Sequence, residues 1–410
     1  MRGTARQRPW HHPAGYCEPV YTVSEISKDE YWRFLSTQTG ASYQQTPEWG
    51  EARRGQWQPE LVGWFDRDSR LTAVAVLRYR PVPGVGKKFV FVPQGPLLDW
   101  SGPHVGDQLT SLGEYLRSRG VFGVRITPAV SLRRWNAATI KAGLADPDLD
   151  RLSGLEPTEV DDVAAGLVST LRACGWREAP LDKEADASHP RFNFWLRLGG
   201  RSEDAVLGGM TKAWRKNIRK AERAGVEVTV GSRTDLDDVH RLYGDTARRN
   251  SFSPQPQTYF DTMWDTLGEA FPGHFCLHVA RHEGVAVAAS ATAQVGGRAQ
   301  GVFAAASTER SQLKASNAVY WAIIRQAISD GAELFDIGGV DDTLDEREPA
   351  AGLVRFKADM GAEAHEYLGA WDLPLQPRMY VAFTRLLPLY SAVSSRLRAV
   401  AAGSATRRRG

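Results

Sequence analysis

The 410-residue chain has only three cysteines, Cys17, Cys174 and Cys276, and they stand far apart. Without a C-x-x-C pair, neither a disulfide framework nor a zinc site is written here, and a reducing compartment fits best. No run of about 18 apolar residues is present to span a bilayer. The arginines of "MRGTARQRPWHHPAGYC" have no apolar stretch behind them, so this segment does not read as a secretory signal, and the expected location is the cytoplasm. His11, His12 and Cys17 could reach a metal, but a disordered tail is the plainer reading, so no metal is expected. G-x-S-x-G, H-E-x-x-H and any clustered Ser, His and Asp are also missing, which argues against a covalent intermediate. "PGVGKKF", Pro83 to Phe89, resembles a phosphate loop only superficially: Pro81 stands where the leading glycine belongs, and no Ser or Thr follows the lysine. A hairpin loop is the expected structure.

Excess charge is lacking as well. Fifty-one Lys and Arg against 48 Asp and Glu leave a formal charge of +3, so an anionic partner must be met by a local patch. One such patch stands out in "MTKAWRKNIRKAERAGVEV", Met210 to Val228. Read as a helix, it puts Lys212, Arg215, Lys216, Arg219, Lys220 and Arg223 on one face and Trp214, Ile218 and Ala221 on the other. Gly225 ends the helix and a strand follows. Like-charge neighbours three and four residues apart cost about 0.2–0.5 kcal/mol each, a sign that bound phosphates would reverse. A solvated face is the bland reading, but interleaved acids are nearly absent, and arginine's fork suits phosphate best, so Arg215 and Arg219 lead the lysines.

Two stretches share one order of elements. The first has hairpin "LVGWF"/"LTAVAVLRY", strand "FVFVP", helix "DQLTSLGEYLRSRG" and strand "FGVRITP". The second has hairpin "FCLHVA"/"VAVAASATAQV", strand "AQGVFAAA", a helix from about Ala315 to Asp330 and strand "LFDIGG". The pattern predicts one α+β unit used twice, with domains at 20–200 and 201–365 and a C-terminal segment, 366–410, packing back through a basic amphipathic helix. "RFNFWLRL" is expected to close the first domain, and Thr234 with Asp237 to form a capping box. Lys357, in "GLVRFKADMG", lies where the surroundings alternate like a strand; it either snorkels at a sheet edge or supplies a fixed charge beside a reacting centre.

Taken together, "QQTPEWGEARRGQW", "VPQGPLLD", "KAWRKNIRKAERAGVEV", "NAVYWAIIRQAISDGAELFDIGG" and "GLVRFKADMGAEAHEYLGAWDL" resemble, in order and spacing, the Fem family of tRNA-dependent aminoacyltransferases, which build peptidoglycan interpeptide bridges. The resemblance spans roughly Ser42 to Leu373. It implies two tandem GNAT-like domains without the long coiled-coil insertion of some relatives. It also implies transfer of an amino acid from aminoacyl-tRNA, a co-substrate in place of any cofactor, to the stem-peptide amine of lipid II or UDP-MurNAc-pentapeptide. Peripheral contact with the inner membrane leaflet would follow from such a substrate.

The family's diphosphate-binding cations fall on Arg53 and in the basic helix, on Arg215 first and then Arg219 and Lys212; its Phe-Lys pair falls on Phe356 and Lys357. Arg53 and Arg215 are expected to converge on one diphosphate. Where many relatives have an acid, this chain has Thr127 in "VRITPAV", so no general base is assigned; Asp336 is a candidate, equally suited to cap a strand end. Read from Arg310 to Ala315, the acyl-CoA loop R/Q-x-x-G-x-A requires glycine where this chain has Leu313, with Lys314 beside it, which favours a tRNA-borne donor. The competing expectations are an N-acyltransferase or peptide ligase of small-molecule biosynthesis and a non-catalytic RNA-binding module.

Overall fold

The computed structural model describes residues 20–54, 57–82, 84, 86–179, 190–250, 252–269 and 272–384. The first half runs Thr22–Glu25 (β1), Lys28–Leu35 (α1), Pro47–Ala52 (α2), Gln58–Phe65 (β2), Leu71–Val82 (β3), Lys87–Pro93 (β4), Val105–Ser118 (α3) and Val121–Thr127 (β5). Ser131–Trp135 (β6), Ala137–Leu144 (α4), Glu159–Val160 (β7), Asp162–Ala173 (α5), Arg177–Glu178 (β8) and Phe192–Arg197 (β9) follow. The second half comprises Glu203–Gly209 (α6), Lys212–Arg223 (α7), Glu227–Val230 (β10), Leu236–Asn250 (α8), Gln257–Met263 (α9), Phe275–His282 (β11), Val285–Val295 (β12) and Arg298–Ala306 (β13). It ends with Ala315–Ser329 (α10), Leu334–Val340 (β14), Pro349–Asp359 (α11), Glu363–Tyr367 (β15) and Trp371–Pro374 (β16).

The repeated order of hairpin, strand, helix and parallel strand is present in both halves; of "PGVGKKF", Gly84 and Gly86 lie between β3 and β4, and Lys87, Lys88 and Phe89 open β4. The halves are not separate in sequence, however. One sheet is ordered β1-β2-β3-β4-β5-β16-β8 and the other β10-β11-β12-β13-β14-β9-β15-β6-β7. "RFNFWLRL" therefore does not close the first sheet. As β9 it lies between β14 and β15 of the second, because Phe194 and Leu196 bury into that sheet's core while Trp195 takes the opposite face. In exchange, β16 returns near the end of the chain to pair with β5, and Arg125 grips Asp372 through Nε at 2.7 Å and Nη2 at 2.8 Å.

A buried apolar seam joins the sheets: Ile26, Tyr31, Leu35, Trp49, Val74 and Val76 of the first half pack with Ala293, Val295 and Leu267 of the second. The cap of the 3-10 turn Arg233–Asp235, which leads into α8, also differs from expectation. Ser232 donates its backbone N–H to Asp235 at 2.7 Å, so the capping box sits two residues before the Thr234 and Asp237 pair. Within the C-terminal segment, after β16, residues 377–384 are helical and pack back on the first half, with Phe383 against Phe89 and Phe122. The rest of that basic run, and His11, His12 and Cys17, lie outside the described residues.

Candidate active site at the split of the second sheet

In the first sheet, β4 and β5 stay paired in parallel from Lys88 to Pro93. In the second, β13 and β14 pair only through Arg298–Leu334, Ala299–Phe335 and Gln300–Asp336, and then part. The register of β14 on β9 also shifts between Asp336 and Gly339. At that irregularity Gly338 adopts φ 83°, a left-handed conformation open to glycine at no steric cost. Its carbonyl and that of Gly339 accept hydrogen bonds from Lys357 Nζ at 2.8 and 2.9 Å.

Lys357 comes from a helix, not the expected strand edge. Pro349 opens α11, Ala351, Val354 and Ala358 recur at steps of three and four on its buried face, and Gly361 at φ 91° follows its end. The strand-like alternation belongs to the residues after Gly361, which form β15. Lys357 is 2% exposed, with its Nζ 5.6 Å from the Phe194 ring centroid. Burial pushes its ammonium down to about 7, against the opposing pull of Asp336. Phe356, half-buried beside it, packs tilted against Trp214 of α7 at 5.2 Å and edge-to-face against Tyr320 of α10 at 5.4 Å between ring centroids. Its carbonyl accepts Trp214 Nε1 at 3.1 Å.

Beneath the split lies a buried polar hub. Asp336 is ion-paired with Arg298, and both are at most 2% exposed. Asp336 also accepts the Gly338 N–H at 2.8 Å. Arg298 donates to Gly40 O at 3.2 Å, Tyr367 Oη at 3.3 Å and Gln94 Oε1 at 3.4 Å, while Trp195 Nε1 donates to the same Tyr367 oxygen at 2.9 Å. Thr127 accepts the Gln94 N–H at 2.9 Å and so anchors that residue, itself held at φ 52°. The two Asp336 oxygens thus meet Arg298 and the Gly338 N–H, the Thr127 hydroxyl meets the Gln94 N–H, and Arg298 carries the link between the halves. Arg298, Tyr367, Trp195 and Gln94 escaped the sequence reading. The one available signal was an arginine opening an otherwise apolar strand after the Gly296–Gly297 turn.

The cations assigned to one diphosphate do not meet. The Arg53 guanidinium lies 5.7 Å from the Trp49 ring and 5.6 Å from that of Tyr259 on α9. Behind it, Arg78 lies 5.7 Å from the same Trp49 ring, its pKa lowered to about 9 by burial and by the charge of Arg53. Arg215 instead turns back on α6: its Nη1 donates to the Gly208 carbonyl at 3.0 Å and to that of Met210, holding a helix C-terminal end. Arg219 and Lys212 are exposed on α7.

The separation has a structural cause. Trp214 and Ile218 of α7 pack with α10 and with Ala288, whereas Phe260 of α9 packs with α8 and with Ala289. Neighbouring residues on a strand face opposite ways, so Arg53 and Arg215 serve opposite faces of the second sheet. Arg78, like Arg298, is a cation that sequence reasoning missed, because it is buried in a strand that reads as apolar.

Two tandem units of one element order, the second with a parallel strand pair that parts in mid-sheet, mark an acyltransferase of the GNAT class. A GNAT acetyltransferase domain model matches residues 210–357, and the FemAB family model matches residues 26–282. The chain belongs to the FemAB family. Among its relatives, the lipid II:glycine glycyltransferase of Staphylococcus aureus strain MRSA252 is 19% identical across 88% of this chain and 95% of that one. The fold resembles the crystal structure of FemX, with TM-score 0.72 and 18% identity over 88% of this chain and 99% of that one. It also resembles a tandem GNAT protein of clavulanic acid biosynthesis, with TM-score 0.50 and 13% identity over 87% of this chain and 98% of that one. From Arg201 to Gly231 the chain holds only α6, α7 and β10, so no long helical hairpin is inserted ahead of the second unit.

Proposed function

We propose that the chain moves an amino acid from aminoacyl-tRNA onto the stem-peptide amine of lipid II or UDP-MurNAc-pentapeptide, forming a peptidoglycan cross-bridge. The observation that carries this reading is the buried ammonium of Lys357 at the parting of β13 and β14. In the reaction the acceptor amine, once deprotonated, attacks the ester carbonyl; the new C–N bond forms, the bond between the acyl carbon and the ribose oxygen breaks, and the proton shed by the nitrogen is balanced by the one the ribose oxygen takes up. Nothing in this sequence calls for a protein nucleophile. It calls for positioning and for positive charge beside the developing oxyanion, and Lys357 supplies that charge when protonated. Half-buried Phe356, braced by Trp214 and Tyr320, offers aromatic surface beside it for the terminal base of the donor.

On the other face, Arg53, reinforced by Arg78, meets the acceptor's diphosphate. Arg53→Ala is expected to raise KM for UDP-MurNAc-pentapeptide by about 10–100-fold with little change in kcat, since it removes a contact shared by ground and transition states. Steady-state assays with the soluble precursor check this. An acyl-CoA donor is disfavoured because Lys314, at φ 58°, occupies the left-handed position ahead of α10 where glycine would admit a close pyrophosphate. The test of the whole reading is a mixture of charged tRNAs carrying labelled amino acids, incubated with the purified chain and lipid II. Label entering the lipid fraction is expected. Transfer only to small amines would favour a peptide ligase, and RNA binding without transfer a non-catalytic module.

A further inference from the structure

We infer that the cationic face of α7 is the docking surface for the phosphate backbone of the RNA bearing the donor amino acid, a step that rests on the donor reading above. The apolar side of the helix is fully used: Trp214, Ile218 and Ala221 are buried in the second core. Lys212, Lys216, Lys220 and Arg223 are exposed and recur at steps of four, four and three, forming a single stripe with Arg219 beside it. Among the described residues none of these cations is ion-paired with an acid. The stripe therefore carries uncompensated repulsion that a polyanion would remove.

Helical rise of about 1.5 Å per residue makes the stripe roughly 16 Å long, enough to follow several consecutive phosphates. A membrane surface fits it less well, because a helix lying in a bilayer interface inserts an apolar face, and that of α7 is already committed to the core. The position of the helix agrees with an RNA partner. Trp214 ties α7 to the Phe356 carbonyl, so the stripe lies on a helix that directly adjoins the one bearing Lys357. Arg53 lies on the other face of the second sheet, so the two substrates do not compete for the same cations.

The test uses the full chain and the triple variant Lys216→Gln, Lys220→Gln, Arg223→Gln, which leaves Arg53, Arg215 and the Lys357 region untouched. Binding of a fluorescent, uncharged tRNA is followed by anisotropy across a salt series. The variant is expected to bind about 10–100-fold more weakly, with a salt slope shallower by about 2–3, since each phosphate contact contributes about 0.7–0.9. KM for charged tRNA should rise in step, while KM for UDP-MurNAc-pentapeptide stays within twofold. A thermal melt controls for folding; relief of repulsion should hold or raise the midpoint.

Unchanged RNA affinity and salt slope would overturn the proposal. If binding to vesicles of anionic phospholipid were lost instead, the stripe would be a membrane surface, and the proposal would again be wrong. Failure of the unaltered chain to use charged tRNA at all would overturn the donor reading itself, whereas normal use by the variant would overturn only the docking surface.

Discussion

Replacing Lys357 by methionine is expected to lower kcat for aminoacyl transfer by about 10²–10³-fold, the usual cost of losing a fixed donor beside a developing oxyanion, while the chain stays folded. Methionine keeps the length and the apolar stem. The carbonyls of Gly338 and Gly339 lose their donor, which costs about 1–3 kcal/mol per buried group, but an ammonium that burial disfavours is removed at the same time. These terms oppose each other, so a calorimetric or dichroism melt should move far less than the rate.

The pH dependence has a definite sign. With its ammonium held at about 7, Lys357 is mostly protonated at pH 6 and mostly neutral at pH 8. A rate that needs the charged form falls as pH rises past 7, against the growing supply of neutral acceptor amine, so wild-type kcat should show an alkaline limb near 7 that the variant lacks. For stability, an unfolded lysine titrates near 10.4, so the unfolded chain binds more protons from about pH 7 to about 10. The contribution of Lys357 to stability therefore rises with pH across that window, and denaturant melts at pH 7 and 9.5 should show a smaller rise in the methionine variant. Transfer within threefold of wild type in Lys357→Met would remove the lysine from the chemistry.

The largest expected loss of stability lies one layer deeper. Arg298→Met strands the Asp336 carboxylate, and Asp336→Leu strands the guanidinium; each should cost about 3–5 kcal/mol, because the remaining charge stays buried without its partner. The double substitution removes both charges and should recover most of that loss. Chemical denaturation of the four proteins gives the coupling directly. If the single losses simply add in the double variant, the ion pair is not what joins these positions. Because Arg298 also holds Gly40 and Gln94 of the first half, activity need not return with stability in the double variant.

How far the sequence could be read follows from the range of each signal. Alternation and helix ends are local, so both hairpins, the helices within the repeated units and the strand after Gly225 were legible. The place of β9 was not, because which sheet a strand joins depends on partners far along the chain, and 334–340 and 363–367 compete for it successfully. Lys357 was legible as a charge among apolar neighbours, but its helix was mistaken for a strand: the recurrence of Ala351, Val354 and Ala358 is sparse and Gly352 interrupts it. Arg53 was reached through resemblance. Arg78 and Arg298 were hidden because a buried arginine in a strand looks, in one dimension, like any surface arginine. The expected meeting of Arg53 with Arg215 failed because the sheet stands between their helices, a barrier that no spacing rule encodes.

The exchange of strands between the sheets also bears on how the protein is made. During synthesis the first lobe cannot finish when its own half of the chain emerges from the ribosome, because Trp371–Pro374 must still arrive to cover the flank of Val121–Thr127. Meanwhile Ser131–Trp135 and Phe192–Arg197 wait for strands not yet translated. Nascent chains halted between these points therefore expose unpaired strand edges, and completion of either lobe is tied to the last elements of the other.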